Sequence, residues 1–344
     1  MPKADLAEFI SFLGSDQKVI GPVALGHGQY KFTEISRLAE MSLHHVPPLL
    51  PPKKYYLPQH ETLLKYDSSN GQKMEALVEV EKLVLFGVQS CDLAGIQCLE
   101  LALSAPPQDQ NFLLRKDYLT LIGFECVEVC DRFANCSTLD THLPKGGYDL
   151  FFTELADDYH VDVNTPRGDE LVKLSGLFEE ISDASIVEFY VERTLKNERF
   201  KSVGAHNSQK LADLFEQTYD SPVWAELGKL CLSCGNCTNV CPTCYCFDVM
   251  DEPDLNLKTG RRIRVWDSCQ HEEFAKVAGG ESFRQSRSER QRHRFFRKFK
   301  YPVDRYQHGF CTGCGRCSRD CMAGIDLKET INQLMVEREA ECKP

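Results

Sequence analysis

Long hydrophobic runs are absent from this sequence. No apolar stretch approaches the roughly 18–20 residues that a helix needs to span a bilayer. The first residues, Met1–Leu13, contain no basic segment followed by a long apolar stretch, so we expect no secretory signal of the usual kind. These two absences predict a chain without a membrane span and with a cytoplasmic location.

Several motifs of catalytic proteins are also missing. There is no Walker loop, no zinc-protease helix and no G-x-S-x-G turn. Gly26-His27-Gly28 is half of a dinucleotide-binding fingerprint without its third glycine, and it therefore supports no nicotinamide site. No residue set indicates substrate turnover by this chain alone, which predicts a non-catalytic subunit without catalytic residues of its own.

Basic charge is scarce in the first part of the chain. Residues 1–220 hold 20 Lys and Arg against 34 Asp and Glu, whereas residues 221–344 hold 20 against 17. The acidic part argues against nonspecific binding of nucleic acid by the whole molecule. The segment 284–300 is basic with interleaved aromatic residues, and we interpret it as a face toward a partner or toward the rest of the chain rather than as an RNA site.

Cysteine, by contrast, is abundant, with 17 residues in a chain of 344. A reducing cytosol keeps thiols reduced, so a cysteine-rich intracellular chain is more often a metal binder than a disulfide scaffold. The length predicts about two domains at roughly 100–200 residues each. We place these domains at residues 1–220 and 221–344.

The first domain is expected to have an α/β or α+β fold. Leu83–Val88 and Leu119–Phe124 are short apolar runs typical of buried strands, and the first run is followed by a helix with Asp92 as its predicted N-cap. Cys91 and Cys126 lie just after the two runs. Because ligands collect beyond the carboxyl ends of strands in open α/β sheets, we expect both thiols at a crevice.

Local patterns also predict the elements that follow. Residues 151–155 and 159–163 are typical of a hairpin, and residues 165–168 of a turn. Three-to-four spacing of apolar residues predicts amphipathic helices around residues 186–190 and 211–215, and another after residue 327. Ser221-Pro222 signals the start of a further helix. The cysteine motifs of the second domain therefore lie among helices.

Eight cysteines form two runs with the spacing of a bacterial two-cluster ferredoxin. The runs are Cys231-x-x-Cys234-x-x-Cys237-x-x-x-Cys241 and Cys311-x-x-Cys314-x-x-Cys317-x-x-x-Cys321. The first three thiolates of such a run wrap one [4Fe-4S] cluster, and the fourth ligates the other cluster. We therefore predict two [4Fe-4S] clusters with crossed ligands. The sets are Cys231, Cys234 and Cys237 with Cys321, and Cys311, Cys314 and Cys317 with Cys241.

Zinc is the alternative for these runs, because Cys-x-x-Cys is also zinc spacing. A zinc site has no use for the third cysteine of each run, which favours iron–sulfur clusters. A structural metal-binding scaffold is kept as an alternative function of a different class. Gly235, Gly313 and Gly315 are expected to let the backbone turn tightly and bring N–H groups near sulfur. The long interval from Cys241 to Cys311 and the helical flanks favour an α-helical dicluster ferredoxin domain.

The remaining cysteines leave alternatives open. Cys244, Cys246 and Cys269 are interpreted as buried thiols or thiols packed behind the ligands, or else as ligands of another site. Four thiols of the first domain could hold a third iron–sulfur cluster, although their spacing is irregular: Cys91, Cys126, Cys130 and Cys136. Cys98, on a predicted helix, and Cys342, in the tail, are interpreted as bystanders.

Four segments resemble one known family. They are residues 231–248 (CLSCGNCTNVCPTCYCFD), 264–269 (RVWDSC), 277–284 (VAGGESFR) and 311–327 (CTGCGRCSRDCMAGIDL). The sequence is similar to the beta subunit of cytosolic NAD(P)-linked [NiFe] hydrogenases, also called sulfhydrogenases, and to the counterpart of that subunit in anaerobic sulfite reductase. Residues 86–93 and 147–150 resemble the family's first domain, so the likeness covers most of the chain.

The resemblance implies an electron-transfer subunit of an oxidoreductase complex. It would relay single electrons between a flavin-containing NAD(P)H-oxidoreductase partner and the catalytic subunit of a [NiFe] hydrogenase. The alternative is the same role in an anaerobic sulfite reductase, where the partner would be a siroheme subunit, because a relay module does not reveal the electron acceptor.

Overall fold

The computed structural model describes residues 1–69, 71, 73–201 and 208–341, so Cys342 lies outside the described residues. Its strands form two sheets. The strands are β1 Lys18–Gly26, β2 Gln29–Ile35, β3 His60–Asp67, β4 Lys73–Ala76, β5 Leu83–Val88, β6 Leu119–Phe124, β7 Leu150–Glu154, β8 Tyr159–Val163, β9 Phe247–Pro253 and β10 Thr259–Trp266. The helices are α1 Leu6–Leu13, α2 Lys53–Tyr56, α3 Ser90–Leu103, α4 Gln110–Tyr118, α5 Pro166–Ser175, α6 Asp183–Arg199, α7 Ser208–Gln217, α8 Val223–Leu230, α9 Asn236–Asn239, α10 Arg287–Phe299, α11 Tyr301–Tyr306, α12 Arg316–Arg319 and α13 Leu327–Glu341.

A six-stranded mixed sheet is the centre of the first part of the chain. Its strand order is β2-β1-β5-β6-β7-β8, with β1, β5, β6 and β7 mutually parallel and the two edge strands antiparallel. The strands β5 and β6 are buried along their whole length, as expected for a parallel sheet with both faces covered. Their carboxyl ends therefore lie side by side.

Two apolar clusters cover the two faces of this sheet. On one face, Phe86 and Phe152 pack with Phe9 of α1 and Leu171 of α5. On the other face, residues of α2, α3 and α4 pack against alternate strand positions such as Leu85. Alternate side chains of a strand point to opposite faces, which explains why neighbouring residues of β5 belong to different clusters.

A second sheet joins distant parts of the chain. It is antiparallel with the order β4-β3-β10-β9, so strands from residues 60–76 pair with strands from residues 247–266. The region that the sequence predicts as an α-helical domain thus also contains a β-hairpin, β9–β10, between the two cysteine runs. The two regions proposed as domains share this sheet.

A helical layer supports the cysteine runs. Phe215 of α7, Trp224 of α8, Phe295 of α10 and Leu334 of α13 belong to one buried cluster, which also includes Cys231. The helix α10 begins with a reciprocal capping box between Ser286 and Glu289. Its aromatic face packs against α7 and α8, which holds its opposite face toward the cysteines.

Most local predictions are confirmed, and two are corrected. The strands β5 and β6, the hairpin β7–β8 and the helices α6, α7, α8 and α13 lie where the sequence predicts them. Residues 165–168 do not form an isolated turn, because Thr165 accepts a hydrogen bond from Gly168 N at 3.1 Å and caps α5. Asp92 is not the N-cap of α3, which begins at Ser90. Within the described residues, no helix has both the length and the apolar character to cross a membrane.

Candidate iron–sulfur centre

The two cysteine runs have the same local structure. Each has a short helix, α9 or α12, that begins directly after a glycine in the left-handed region, Gly235 or Gly315, both with φ of 74°. The helices α9 and α12 pack against each other. A side chain at Gly235 would collide with His271, and one at Gly315 with the backbone of Phe133. The predicted tight turns at these glycines are confirmed.

One cavity brings together cysteines from both runs. Cys231, Cys234 and Cys237 line it from the first run, and Cys321 lines it from the second. These are the four residues of the first predicted ligand set. Cys317 also reaches this cavity. Cys231 is buried, whereas Cys234 is exposed, so the cavity lies close to the molecular surface.

Several N–H groups point at the sulfur atoms of this cavity. Gln291 Nε2 donates to Cys231 Sγ at 2.8 Å, and Ser233 N donates to the same sulfur at 3.3 Å. Ile325 N donates to Cys321 Sγ at 3.3 Å. Hydrogen bonds to ligand sulfur are one means by which a protein sets the potential of an iron–sulfur cluster. Four thiols, two of them with preformed donors, fit a [4Fe-4S] cluster.

The members of the second predicted set also lie near one another. Burial raises the pKa of Cys311, and the nearby thiolates of Cys317, Cys241 and Cys314 raise it further. The first run thus contributes Cys241 to the neighbourhood of the second. Cys321 thus lies with the first three cysteines of the first run, and Cys241 lies near those of the second, while the crossed ligand assignment itself stays a prediction.

Buried cations of α10 face both groups of cysteines. Arg290, Arg294 and Lys298 are 4%, 6% and 7% exposed. Burial lowers the pKa of Arg294, but the thiolates of Cys237 and Cys317 outweigh it and raise the pKa above its ordinary value. The basic segment 284–300 thus has an intramolecular face. These cations would offset the negative charge of metal-bound thiolates.

Lys298 and Lys53 both lie at the end of the first run. Lys298 Nζ donates to Thr243 Oγ1 at 2.5 Å, and Thr243 Oγ1 lies 3.2 Å from Cys241 Sγ. Lys53 is almost fully buried, and its Nζ donates to the carbonyl oxygen of Cys244 at 2.9 Å. Burial lowers the pKa of Lys53 to about 8.

The thiols that follow the first run pack behind it in pairs. A hydrogen bond with Cys241 raises the pKa of Cys244, and a hydrogen bond with Cys246 raises that of Cys269. Cys269 is buried, and its neighbour Ser268 is fully buried. This arrangement supports the interpretation as thiols behind the ligands, which stays a prediction.

The four remaining candidate thiols lie at the carboxyl edge of the first sheet. Cys91 is in the first turn of α3 after β5, and Cys126 follows β6. Cys130 and Cys136 lie on the next loop. Among the residues that the structure describes, no three His, Cys, Asp or Glu side chains converge closely enough to hold a single metal ion.

A family model and a curated relative match this sequence. The family model of the 4Fe-4S dicluster domain matches residues 230–325. The chain is 33% identical over 332 residues to sulfhydrogenase 2 subunit beta of Pyrococcus furiosus, an alignment that covers 95% of each chain. The chain belongs to the sulfhydrogenase beta-subunit family. No solved structure matches it.

Membership in the sulfhydrogenase beta-subunit family agrees with the cysteine geometry. The dicluster match spans both runs and the cavity that they share, so the chain is an iron–sulfur electron-transfer subunit. The match ends before α13 and does not include Cys91, Cys126, Cys130 or Cys136.

Sequence reasoning missed several residues of the site. Gln291 and Gln270 reach Cys231 from elements that are distant along the chain. Arg316 lies inside the second run, is completely buried and pairs with Asp92. An arginine between two cysteine ligands was a signal for a buried ion pair, but the run itself does not identify the partner.

Proposed function

We propose that this chain relays single electrons through two [4Fe-4S] clusters within a multi-subunit hydrogenase. The clusters would be held by Cys231, Cys234, Cys237 and Cys321, and by Cys311, Cys314, Cys317 and Cys241. When bound, each cluster takes up and releases one electron at a time. The observation that supports this proposal most directly is the cavity in which Cys321 of the second run lies with three cysteines of the first.

The residues of the chain support such a relay in two ways. The packing of α9 on α12 brings the two cysteine runs together, which supports two clusters that would lie next to each other. The cations Arg294 and Lys298 lie buried beside both groups, so they stabilise added negative charge there. Within the described residues no cysteines form a disulfide, which supports our proposal of a reducing, cytoplasmic compartment.

We propose two partners for this subunit. A flavin-containing subunit would exchange electrons with NAD(P)H, and a [NiFe] hydrogenase subunit would carry out the terminal chemistry. The sulfhydrogenase relative supports a hydrogenase complex, since its name states that it is such a subunit. In a sulfite reductase the same relay would serve a siroheme subunit.

The test uses the complex purified anaerobically with this chain in place. We expect hydrogen-dependent reduction of NAD(P)+ and at least about eight iron and eight sulfide from this chain, the content of the two clusters of the relay. NAD(P)H-dependent sulfite reduction with bound siroheme, and no hydrogen oxidation, would assign the chain to the other complex. Stoichiometric zinc with no iron in the chain would instead support a structural scaffold.

A further inference from the structure

Four cysteines outside the two runs lie around one edge of the six-stranded sheet. Cys91 and Cys136 are each 7% exposed, and Cys126 and Cys130 are partly buried. Cys91 and Cys126 come from the carboxyl ends of the adjacent parallel strands β5 and β6. This is the edge at which open α/β sheets bind their ligands.

These four thiols lie within electrostatic range of one another. Cys130 lies near enough to Cys126 and Cys136 to interact with both thiolates, and Cys91 lies within the same range of Cys130. Four cysteines held together at one edge of a sheet are the kind of ligand set that an iron–sulfur cluster requires.

The surroundings of the thiols contain buried donors. Lys196 is 3% exposed, and its Nζ lies 3.8 Å from Cys126 Sγ and 3.0 Å from Glu125 Oε1. Ser90 Oγ, beside Cys91, and Arg319 Nη2, whose charge lowers the pKa of Cys130, are buried and have no hydrogen-bond partner within the described residues. Unpaired buried donors are costly, and cluster sulfides and thiolates would satisfy them.

The loop that carries Cys130 and Cys136 is docked on the second run. Asn135 N donates to the carbonyl oxygen of Gly313 at 2.7 Å, and Thr141 Oγ1 donates to that of Thr312 at 2.7 Å. A side chain at Gly313 would come within 2.5 Å of Cys136 N, so the two backbones are in direct contact. A group bound by the loop would be next to the second cluster.

We propose that Cys91, Cys126, Cys130 and Cys136 hold a third [4Fe-4S] cluster, which extends the relay from the second run to the edge of the six-stranded sheet. Four cysteine thiolates are the usual ligands of such a cluster. Lys196 and Arg319 offset its negative charge, and Ser90 donates to it. This inference rests on the proposed relay, because a third cluster can extend the relay only if electrons reach it from the second cluster.

The test compares three variants of the full-length chain, purified anaerobically and analysed for iron, sulfide and zinc. Cys130→Ser should lose about four iron atoms per chain relative to the unmodified protein, which should hold about twelve. Cys237→Ser should also lose about four. Cys98→Ala is the control, because Cys98 is a buried thiol that contacts His308 and Gly309 instead.

Spin quantitation of the reduced, unmodified chain gives an answer that does not depend on any variant. Three one-electron signals are expected from three clusters, and Cys130→Ser should remove one of them. About eight iron atoms in the unmodified chain, or one zinc that Cys130→Ser removes, would overturn the third cluster and leave the proposed relay intact. Unchanged iron in Cys237→Ser would contradict the relay itself.

Discussion

Arg316 and Asp92 form a bidentate ion pair between the second cysteine run and α3. The guanidinium nitrogens Nη1 and Nη2 lie 2.7 and 2.8 Å from the two carboxylate oxygens, and the side chains are 0% and 1% exposed. Arg316 Nε also donates to the carbonyl oxygen of Pro48 at 2.6 Å. This buried pair fixes the helical cysteine layer against the six-stranded sheet.

Asp92→Ala should strongly destabilise the protein. The substitution leaves the Arg316 guanidinium buried without its counterion, and breaking a buried pair in this way costs roughly 3–5 kcal/mol. Denaturant unfolding under anaerobic conditions measures the change. Asp169→Ala is the control, since the exposed pair of Asp169 with Lys173 should contribute little. Equal stabilities of the two variants would refute the role of the pair.

Gly313→Ala should loosen the contact between the second run and the loop that carries Cys136. Gly313 has a φ of 63°, and an added Cβ would press on the backbone of Asn135 and Cys136. The left-handed conformation alone costs roughly 1–2 kcal/mol for alanine. Gly279→Ala is the matched control, because no atom lies within 4 Å of its Cβ position and its φ is not positive. Thermal unfolding and iron content should change only for Gly313→Ala.

Lys298→Gln should lower the reduction potential of the cluster that Cys241 is predicted to ligate. The variant removes a buried positive charge next to Thr243 and Cys241 while keeping a hydrogen-bond donor. Loss of a nearby cation makes electron uptake less favourable, by an amount on the order of tens of millivolts. An EPR-monitored redox titration measures the shift. Lys229→Gln, at an exposed position, should leave both potentials unchanged.

Cys237→Ala should remove one cluster and interrupt electron transfer while the first sheet stays folded. Cys237 lines the shared cavity, and its loss leaves three thiols for one cluster. Iron should fall by about four atoms per chain. Circular dichroism should retain the strand signal, because the sheet of β1, β5, β6 and β7 has its own apolar clusters. Unaltered iron content would refute the ligand assignment.

His45 should make the protein less stable as the pH falls. Burial lowers the pKa of its imidazole to about 4, with Arg316 acting in the same direction and Asp92 against it. The unfolded chain binds this proton near pH 6.5, so stability present at pH 7 decreases below pH 6.5 and continues to decrease toward pH 4. The loss should be on the order of 1 kcal/mol between about pH 7 and pH 5.5. In His45→Gln, denaturant unfolding should show a smaller loss over this interval.

Short-range patterns were enough to predict much of this protein. Leu83–Val88 and Leu119–Phe124 are strands with the predicted bounds, because short, mostly apolar runs of this length between polar residues are typical of buried strands. The two cysteine runs and their glycines likewise predict their own local geometry, since three thiols and a tight turn lie within a few residues of each other.

Contacts between distant residues were not predictable in the same way. The pairing of β3 with β10 joins residues about two hundred positions apart, and the exposed, polar strand β9 has no apolar run to reveal it. The sequence left open whether the cations of α10 face a partner or the rest of the chain. Their burial depends on thiols that the helix faces only after α7 and α8 have packed against its aromatic side.

The sequence by itself determined the sulfur chemistry, the central strands and the family resemblance, because each depends on residues that are neighbours along the chain. Tertiary structure decided which cysteines meet, which cations are buried beside them, and that Asp92 pairs with Arg316 instead of capping its helix. The physical reason is that burial and charge pairing are properties of packed surfaces. Those surfaces form only when elements far apart in the chain come together.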